Sequence, residues 1–355
     1  MAVATPMPTS HSPSRHILKA YQDGAERFGW DRRDPRPGAR REGEWLVGMG
    51  VATATYPYYR MPGGAARIRL TADGRAVVQM ASHEMGMGTA TVQAQHAAER
   101  LGLPLDRVTF EHGHTDLPTG TLAGGSSQTA AIVAAVAAAH DELVRELLKL
   151  AGNDSPVAGL GPDDVETRDG ALRSRAEPER QETYTSILAR SGQKEVACEA
   201  AAPPPLEMSE YSMHSYGAQF CEVRVSAVTG ETRVTRFLGS FDTGRILNAK
   251  TAASQFRGGI IMGLGLALTE ETLFDERTGR IMNPSLAEYH VPVHMDVPEI
   301  DVIWTDIPDP RSPFGVRGIG EIGITGVGAA VANAVYNATG KRVRDLPITL
   351  DKLLG

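Results

Sequence analysis

The segment "ARIRLTADGRAVVQMASHEMGMGTATVQAQHAAERLG", residues 66–102, decides the fold. Arg67 and Arg69 alternate with Ile68 and Leu70, the period-two pattern of a half-buried strand from Ala66 to Leu70. Asp73-Gly74 is a hairpin signal, and a second strand runs from Ala76 to Met80. A glycine loop follows, and from about Thr89 to Leu101 the pattern reads as a helix. The same order of elements recurs in "FCEVRVSAVTGETRVTRFLGSFDTGRILNAKTAASQFRGGIIMGLG", residues 220–265. There the strands are Phe220 to Val225 and Thr232 to Gly239, the turn is Thr229-Gly230, and a helix starts near Ala249. Identity between the copies is too low to prove duplication; the order is what matches. Strands interleaved with helices in both halves predict an α/β (α+β) fold of two similar lobes, each a mixed sheet with packed helices.

The chain has 355 residues, 41% hydrophobic and 22% charged, which is enough to bury a sizeable core in two domains or lobes. A tail, a short amphipathic helix from Ile17 to Trp30 and a Pro/Arg-rich connector are expected over residues 1–44, with the first fifteen or so disordered. The first lobe then spans 45–200 and the second 207–355. The break "AAAPPPLE", Ala200 to Glu207, separates them, because three prolines in a row continue neither helix nor ladder. Between the copies, "RDGALRSRAEPERQETYTS" is charge-rich and weakly patterned.

Net charge is −7 with both signs interspersed, so nucleic acid is not an expected partner. Cys198 and Cys221 are the only cysteines, which excludes a disulfide framework or a cysteine-held cluster. The apolar run Thr129 to His140 meets Asp141, Glu142 and Arg145, too soon to span a bilayer, so no membrane insertion is expected. "MAVATPMPTSHSPSRH" carries no apolar segment after a basic start. The expected compartment is therefore the cytoplasm, or the periplasm where a partner supplies the signal.

Three glycine-rich loops each lead toward an alanine-rich helix: "HEMGMGTAT" (83–91), "AGGSSQTAA" (123–131) and "GIGEIGITGVGAA" (318–330). Glycine lets backbone approach a ligand, and a first helical turn offers unpaired N–H donors with partial positive charge. Thr89, Ser126, Ser127, Gln128 and Thr325 add hydroxyl or amide groups. Singly, each loop reads as an ordinary helix start; together they suggest a large anionic cofactor. "GIGEIG" fits a dinucleotide fingerprint in letters only, since "DPRSPFGVR" rather than a strand precedes it. "GGSS" lacks the surroundings of a serine nucleophile. His112 with His114, and His290 with His294, have no matched acid at metal-ligand spacing and fit alternation along a strand or loop.

Glu321 is a lone carboxylate among six glycines between Gly315 and Gly328. It reads either as a cap favouring the following helix by about 0.3–1 kcal/mol, or as a general base. Apolar burial raises a carboxylate pKa and helix donors lower it, so composition leaves both readings open.

In order, "EMGMGT", "DRVTFEHGHTDLPTGTLAGGSSQT", "GAQFCEVRVSAVTGE", "FDTGRILN", "SQFRGGIIMGLGLALTEE" and "VRGIGEIGITGVGAAVANAVYNATGKRVRDLPITLDKLL" resemble the xanthine dehydrogenase/aldehyde oxidase family of molybdenum hydroxylases. From about Ile17 onward the chain is similar to the C-terminal half of their large, cofactor-binding subunit, in particular that of bacterial periplasmic-type aldehyde oxidoreductases. The resemblance implies oxidation of an aldehyde or hydroxylation of an N-heterocycle with water as oxygen source. Glu321, after Gly320 in the G-x-G-E motif, would be the general base. Gly86, Met87, Gly88 and Thr89, with Gly124, Gly125, Ser126, Ser127, Gln128 and Thr129, would hold molybdopterin, often in its cytosine dinucleotide form in bacteria. Gln255 matches a cofactor-contacting glutamine. The pterin holds the metal, so no protein ligand to it is implied.

Met87 stands where many members carry glutamine, which removes a side-chain hydrogen bond. The family's large subunit is also about twice this length, so the implied partners are a chain supplying its N-terminal half and subunits carrying 2Fe-2S and FAD. The contrasting expectation is a truncated half acting only as a molybdopterin-binding or assembly module.

Overall fold

A computed structural model describes residues 14–354, so the expected disordered start lies almost wholly outside the described residues. The chain divides into two units, each with its own sheet and core. The first comprises Tyr58–Ser212 and Arg311–Gly318; the second takes in residues 14–57, Met213–Pro310 and residues 319–354.

In the first unit a four-stranded sheet runs in the order Val108–Glu111, Ala76–Gln79, Ala65–Thr71, Glu195–Ala201. Its first pair is parallel and the other two are antiparallel. Parallel neighbours need a long crossover, and here the crossover contains the helix Thr89–Leu101. The first glycine loop therefore lies between the C-terminal end of a strand and a helix start. Ala66, Ile68 and Leu70 point into a core shared with Leu101, Ile132, Leu143 and Leu147. Arg67 and Arg69 face outward to Glu199 and Glu195 across the ladder, at 2.7 Å and 3.0 Å. The helix Gln128–Ala151 continues past the apolar run into charged residues. Among the described residues no helix is long and apolar enough to cross a membrane.

In the second unit a five-stranded sheet runs Arg41–Glu42, Trp45–Pro57, His214–Ser226, Thr232–Asp242, Glu299–Trp304, with only the last pair parallel. The helix Ile17–Phe28 covers one face through Phe28, Met49, Phe220 and Leu238. The helices Ala249–Leu268 and Val327–Thr339 cover the other, where Phe241 stacks on Phe256 with centroids 4.1 Å apart. Gly48 and Gly50 let that layer close. A Cβ at Gly48 would stand 2.3 Å from Ala334 O, and one at Gly50 would stand 2.2 Å from Ala334 N.

Three features differ from the sequence reading. The strand Trp45–Pro57 joins the second unit, because it ladders along its whole length with His214–Ser226. The proline break lies inside the first unit, where the buried Arg60 guanidinium donates to Pro203 O and Pro204 O and pairs with Glu207 at 2.6 Å. The charge-rich stretch forms a three-stranded sheet, Val165–Arg168, Ala171–Ser174 and Gln181–Thr183. Its first hairpin turns at Asp169-Gly170, both left-handed, a turn signal as clear as that at Asp73-Gly74.

A methyl group at Gly50 has only backbone to push against, so Gly50→Ala is expected to cost about 1–3 kcal/mol or more. Gly258, helical with no atom within 4 Å of its would-be Cβ, gives the opposite sign: Gly258→Ala is expected to stabilise by about 0.4–1 kcal/mol. Denaturant midpoints of the two variants read both.

Candidate active site

In the first unit the loop 83–89 owes its shape to Gly86 and Gly88, whose φ values of 96° and 81° are left-handed and cost an L side chain far more than glycine. This turn converges three amides on one point, and the carboxylate of Glu84 occupies it. Glu84 Oε1 accepts from Gly86 N at 2.7 Å and Gly88 N at 3.0 Å, and Oε2 accepts from Thr89 N at 2.6 Å. Partial burial pushes the Glu84 pKa up, but the amides of Gly88, Gly86 and Thr89, with His112 nearby, outweigh it. The net position is below the ordinary carboxylate range. The sequence reading did not single out Glu84; its signal was an acid two residues before a G-x-G turn.

The second loop lies against the first. Gln128 Nε2 donates to His83 O at 2.9 Å, and Gln93 Nε2 reaches Thr129 O at 3.5 Å. Ser127 is buried and its hydroxyl donates to Gly124 O at 2.7 Å. Ser126 holds a left-handed φ of 55°, rare for a residue with a side chain. Its carbonyl would lie 2.1 Å from a Cβ at Gly318, so the segment 311–318 can approach only because that side chain is absent. Phe314 in the same segment is also left-handed, and its ring packs edge-on against His96 at 4.8 Å. Strained backbone of this kind costs about 1–3 kcal/mol per residue and gathers at functional sites.

In the second unit Glu321 lies in a succession of tight turns, residues 320–326, ahead of the helix Val327–Thr339. Five residues lie between it and Val327, and Gly326 is the N-cap with no side-chain cap bond. Glu321 is therefore not the N-cap residue of that helix. Glu321 O accepts from Ile324 N at 3.3 Å, and its buried Oε2 is part of the turn's interior. The turn is held from two sides. Gln219, fully buried on the strand His214–Ser226, donates from Nε2 to Gly323 O at 2.6 Å. The helix Ala249–Leu268 presents Gly259, where a Cβ would be 2.8 Å from Gly323 Cα. That helix carries Gln255, half-buried and next to Phe256, whose carbonyl also abuts Gly323. Gln219 was not singled out from the sequence either; a glutamine inside "GAQFCEV" was the available hint.

The structure thus gathers Gly86, Met87, Gly88, Thr89, Gly124, Gly125, Ser126, Ser127, Gln128 and Thr129 in the first unit. Glu321, Gly320 and Gln255 belong to the second. The hydroxyls of Thr89 and Thr325 turn back onto His83 O and Ile322 O, at 3.2 Å and 3.1 Å.

A molybdopterin group fits the second loop better than the first. At that loop Gln128 Oε1, and Gln93 Oε1 beside Thr129, are buried with no partner among the described residues, the state of groups that await a polar ligand. The first loop's three amides are already committed to Glu84. Among the described residues no three His, Cys, Asp or Glu side chains cluster in a way that could hold a metal ion.

Because Glu84 titrates lower in the fold than the roughly 4.3 of a free glutamate, its hold on the loop is complete above that value. It is lost as pH falls through the depressed one. Amide exchange at Gly86, Gly88 and Thr89 should show protection at pH 7 that disappears across that acid window. In Glu84→Ala the protection should be absent at every pH, and equal protection in both proteins would refute the assignment. Gln219→Leu strands the buried Gly323 carbonyl and should cost about 1–3 kcal/mol in denaturant unfolding.

Residues 23–298 match the family model described as the molybdopterin cofactor-binding domain. The chain is 41% identical over 350 residues to the molybdenum-binding subunit of an aldehyde oxidoreductase of Escherichia coli, covering 98% of this chain and 46% of the relative. It is 28% identical to the molybdenum-binding subunit of a xanthine dehydrogenase from the same species, covering 99% and 47%. The chain thus spans about half the length of these curated relatives. Among solved structures, CO dehydrogenase from Oligotropha carboxidovorans superposes with a TM-score of 0.83 at 23% identity, over 97% of this chain and 45% of that one. Quinoline 2-oxidoreductase from Pseudomonas putida gives 0.77 at 23% identity, over 95% and 46%. By sequence family and by fold, the chain belongs to the molybdopterin cofactor-binding domain family, as a homologue of part of the molybdenum-binding subunit of the aldehyde oxidoreductase/xanthine dehydrogenase enzymes.

Proposed function

We propose that this chain is the C-terminal, cofactor-binding half of a molybdenum hydroxylase large subunit. The complex oxidises an aldehyde to a carboxylic acid, or hydroxylates an N-heterocycle, with water as oxygen source. The observation that carries this reading is the 41% identity maintained over 98% of the chain to an aldehyde oxidoreductase subunit. A polypeptide with the remainder of the large subunit completes the substrate pocket, and 2Fe-2S and FAD subunits remove the electrons.

When bound, the molybdenum–pterin group, in its cytosine dinucleotide form, supplies the two-electron redox chemistry. The chain's own residues do the rest. The loop Gly124–Thr129, with Gln93, offers first-turn amides to the phosphates and the buried, unpartnered oxygens of Gln93 and Gln128 to the pterin's N–H groups. Met87, on the loop braced by Glu84, accepts from Met85 N through its sulfur at 3.2 Å and has no side-chain amide to offer the group. Glu321 acts as general base: its carboxylate takes the proton released by the attacking oxygen as that oxygen bonds to the substrate carbon. Gln219 and Gly259 position Glu321 by fixing the Gly323 peptide.

Glu321→Gln keeps the shape and removes the proton acceptor. In the assembled complex this variant should lose turnover by about 10²–10⁴-fold while molybdenum and pterin content, measured by metal analysis and absorbance, stay at the level of the unaltered protein. Turnover within tenfold of that level would overturn the role of Glu321. A complex that forms without molybdenum would instead favour a non-catalytic cofactor-binding or assembly module.

A further inference from the structure

Within the second unit, residues 269–298 join the helix Ala249–Leu268 to the strand Glu299–Trp304 with almost no regular structure. The segment is nevertheless pinned. Asn283 accepts from Leu273 N at 2.9 Å and donates to Glu271 O at 2.6 Å, and Tyr289 donates to Glu270 at 2.9 Å. Pro292 returns against Gly265 of the helix, where a Cβ would come within 2.8 Å of it.

A pinned loop of this length with no core of its own is uncommon unless it serves a purpose. None of residues 269–298 belongs to any buried apolar cluster among the described residues. Its large apolar side chains face outward instead: Phe274 is 61% exposed, Leu286 77% and Met295 91%. The adjoining helix is apolar nearly all round, as expected of one covered on every side. Yet Met262 and Leu266, one turn apart, are exposed beside the Gly265 contact. Scattered exposed apolar residues are normal, but so many within one pinned loop and on the helix it returns to point to an interface.

We infer that this surface, Met262 and Leu266 with the segment Leu273 to Met295, is where the remainder of the large-subunit fold docks. The chain spans 46% of its curated relatives and 45% of a solved chain on which it superposes over 97% of its own length. A body of comparable size is therefore available to cover it. This inference rests on the reading above that a further polypeptide segment completes the large subunit, whether it is carried on the same chain or on another.

The test uses the full chain expressed in cells that make its natural complex, with a photo-crosslinking amino acid replacing Leu286, Met295 or, as a control, Leu18. Leu18 is 74% exposed on the helix Ile17–Phe28, which covers the opposite face of the sheet. Irradiation at Leu286 and Met295 should yield adducts whose peptides align with the part of the relatives' subunit that this chain does not match, and Leu18 should not. Leu286→Asp combined with Met295→Asp should reduce recovery of the complex at least tenfold, with an unchanged circular dichroism spectrum. Adducts between two copies of this chain, no adduct, or equal labelling from Leu18 would overturn the assignment. Those outcomes leave the activity untouched, since it stands or falls on turnover of the Glu321→Gln complex.

Discussion

Two missing side chains, at Gly48 and Gly50, govern the second unit. They bring the backbone of the helix Val327–Thr339 against that of a sheet strand. At that distance the helix bonds the strand directly: Asn337 accepts from Met49 N at 2.9 Å, and Asn333 donates to Val51 O at 3.0 Å. The helix start is thereby fixed relative to the sheet, and the turns that carry Glu321 lie immediately before it. Gln219, from the neighbouring strand, then ties the Gly323 peptide to the same sheet. A carboxylate on a glycine-rich turn would ordinarily wander; Glu321 is referenced to a strand ladder through two short links.

Glu84 and Glu321 show how one residue type takes two roles beside glycine turns. Glu84 is surrounded by amides that stabilise its anion, so its proton affinity is spent on holding the loop. Glu321 precedes its helix by six positions, on turns whose backbone is held by Gln219, and the N-cap position belongs to Gly326.

Much of the fold was legible because its elements obey local rules. The hairpins at Asp73-Gly74 and Thr229-Gly230 and the helices beginning at Thr89 and Ala249 follow from turn chemistry and periodicity. The Asp169-Gly170 hairpin carried the same signal, but charged flanks hid its alternation. The side taken by Trp45–Pro57 was not legible, since strand partners are chosen by long-range register and not by neighbours in sequence. The proline run misled because its carbonyls are satisfied by Arg60, more than 140 residues earlier in the chain. Of the site, the glycine loops and Glu321 could be read as motifs. The supports, Glu84 and Gln219, could not, because each matters only through backbone groups brought to it by folding.

The carboxylate seated in the first glycine loop bears on how that loop would meet the group it is proposed to help hold. A loop whose amides would otherwise await a ligand commonly orders only on binding, and the association then bears that entropic loss. Here an internal anion has already frozen the turn. Under the proposed function a ligand reaching this loop would meet a turn already ordered, and the heat-capacity change there would reflect only the surface covered, with no contribution from folding.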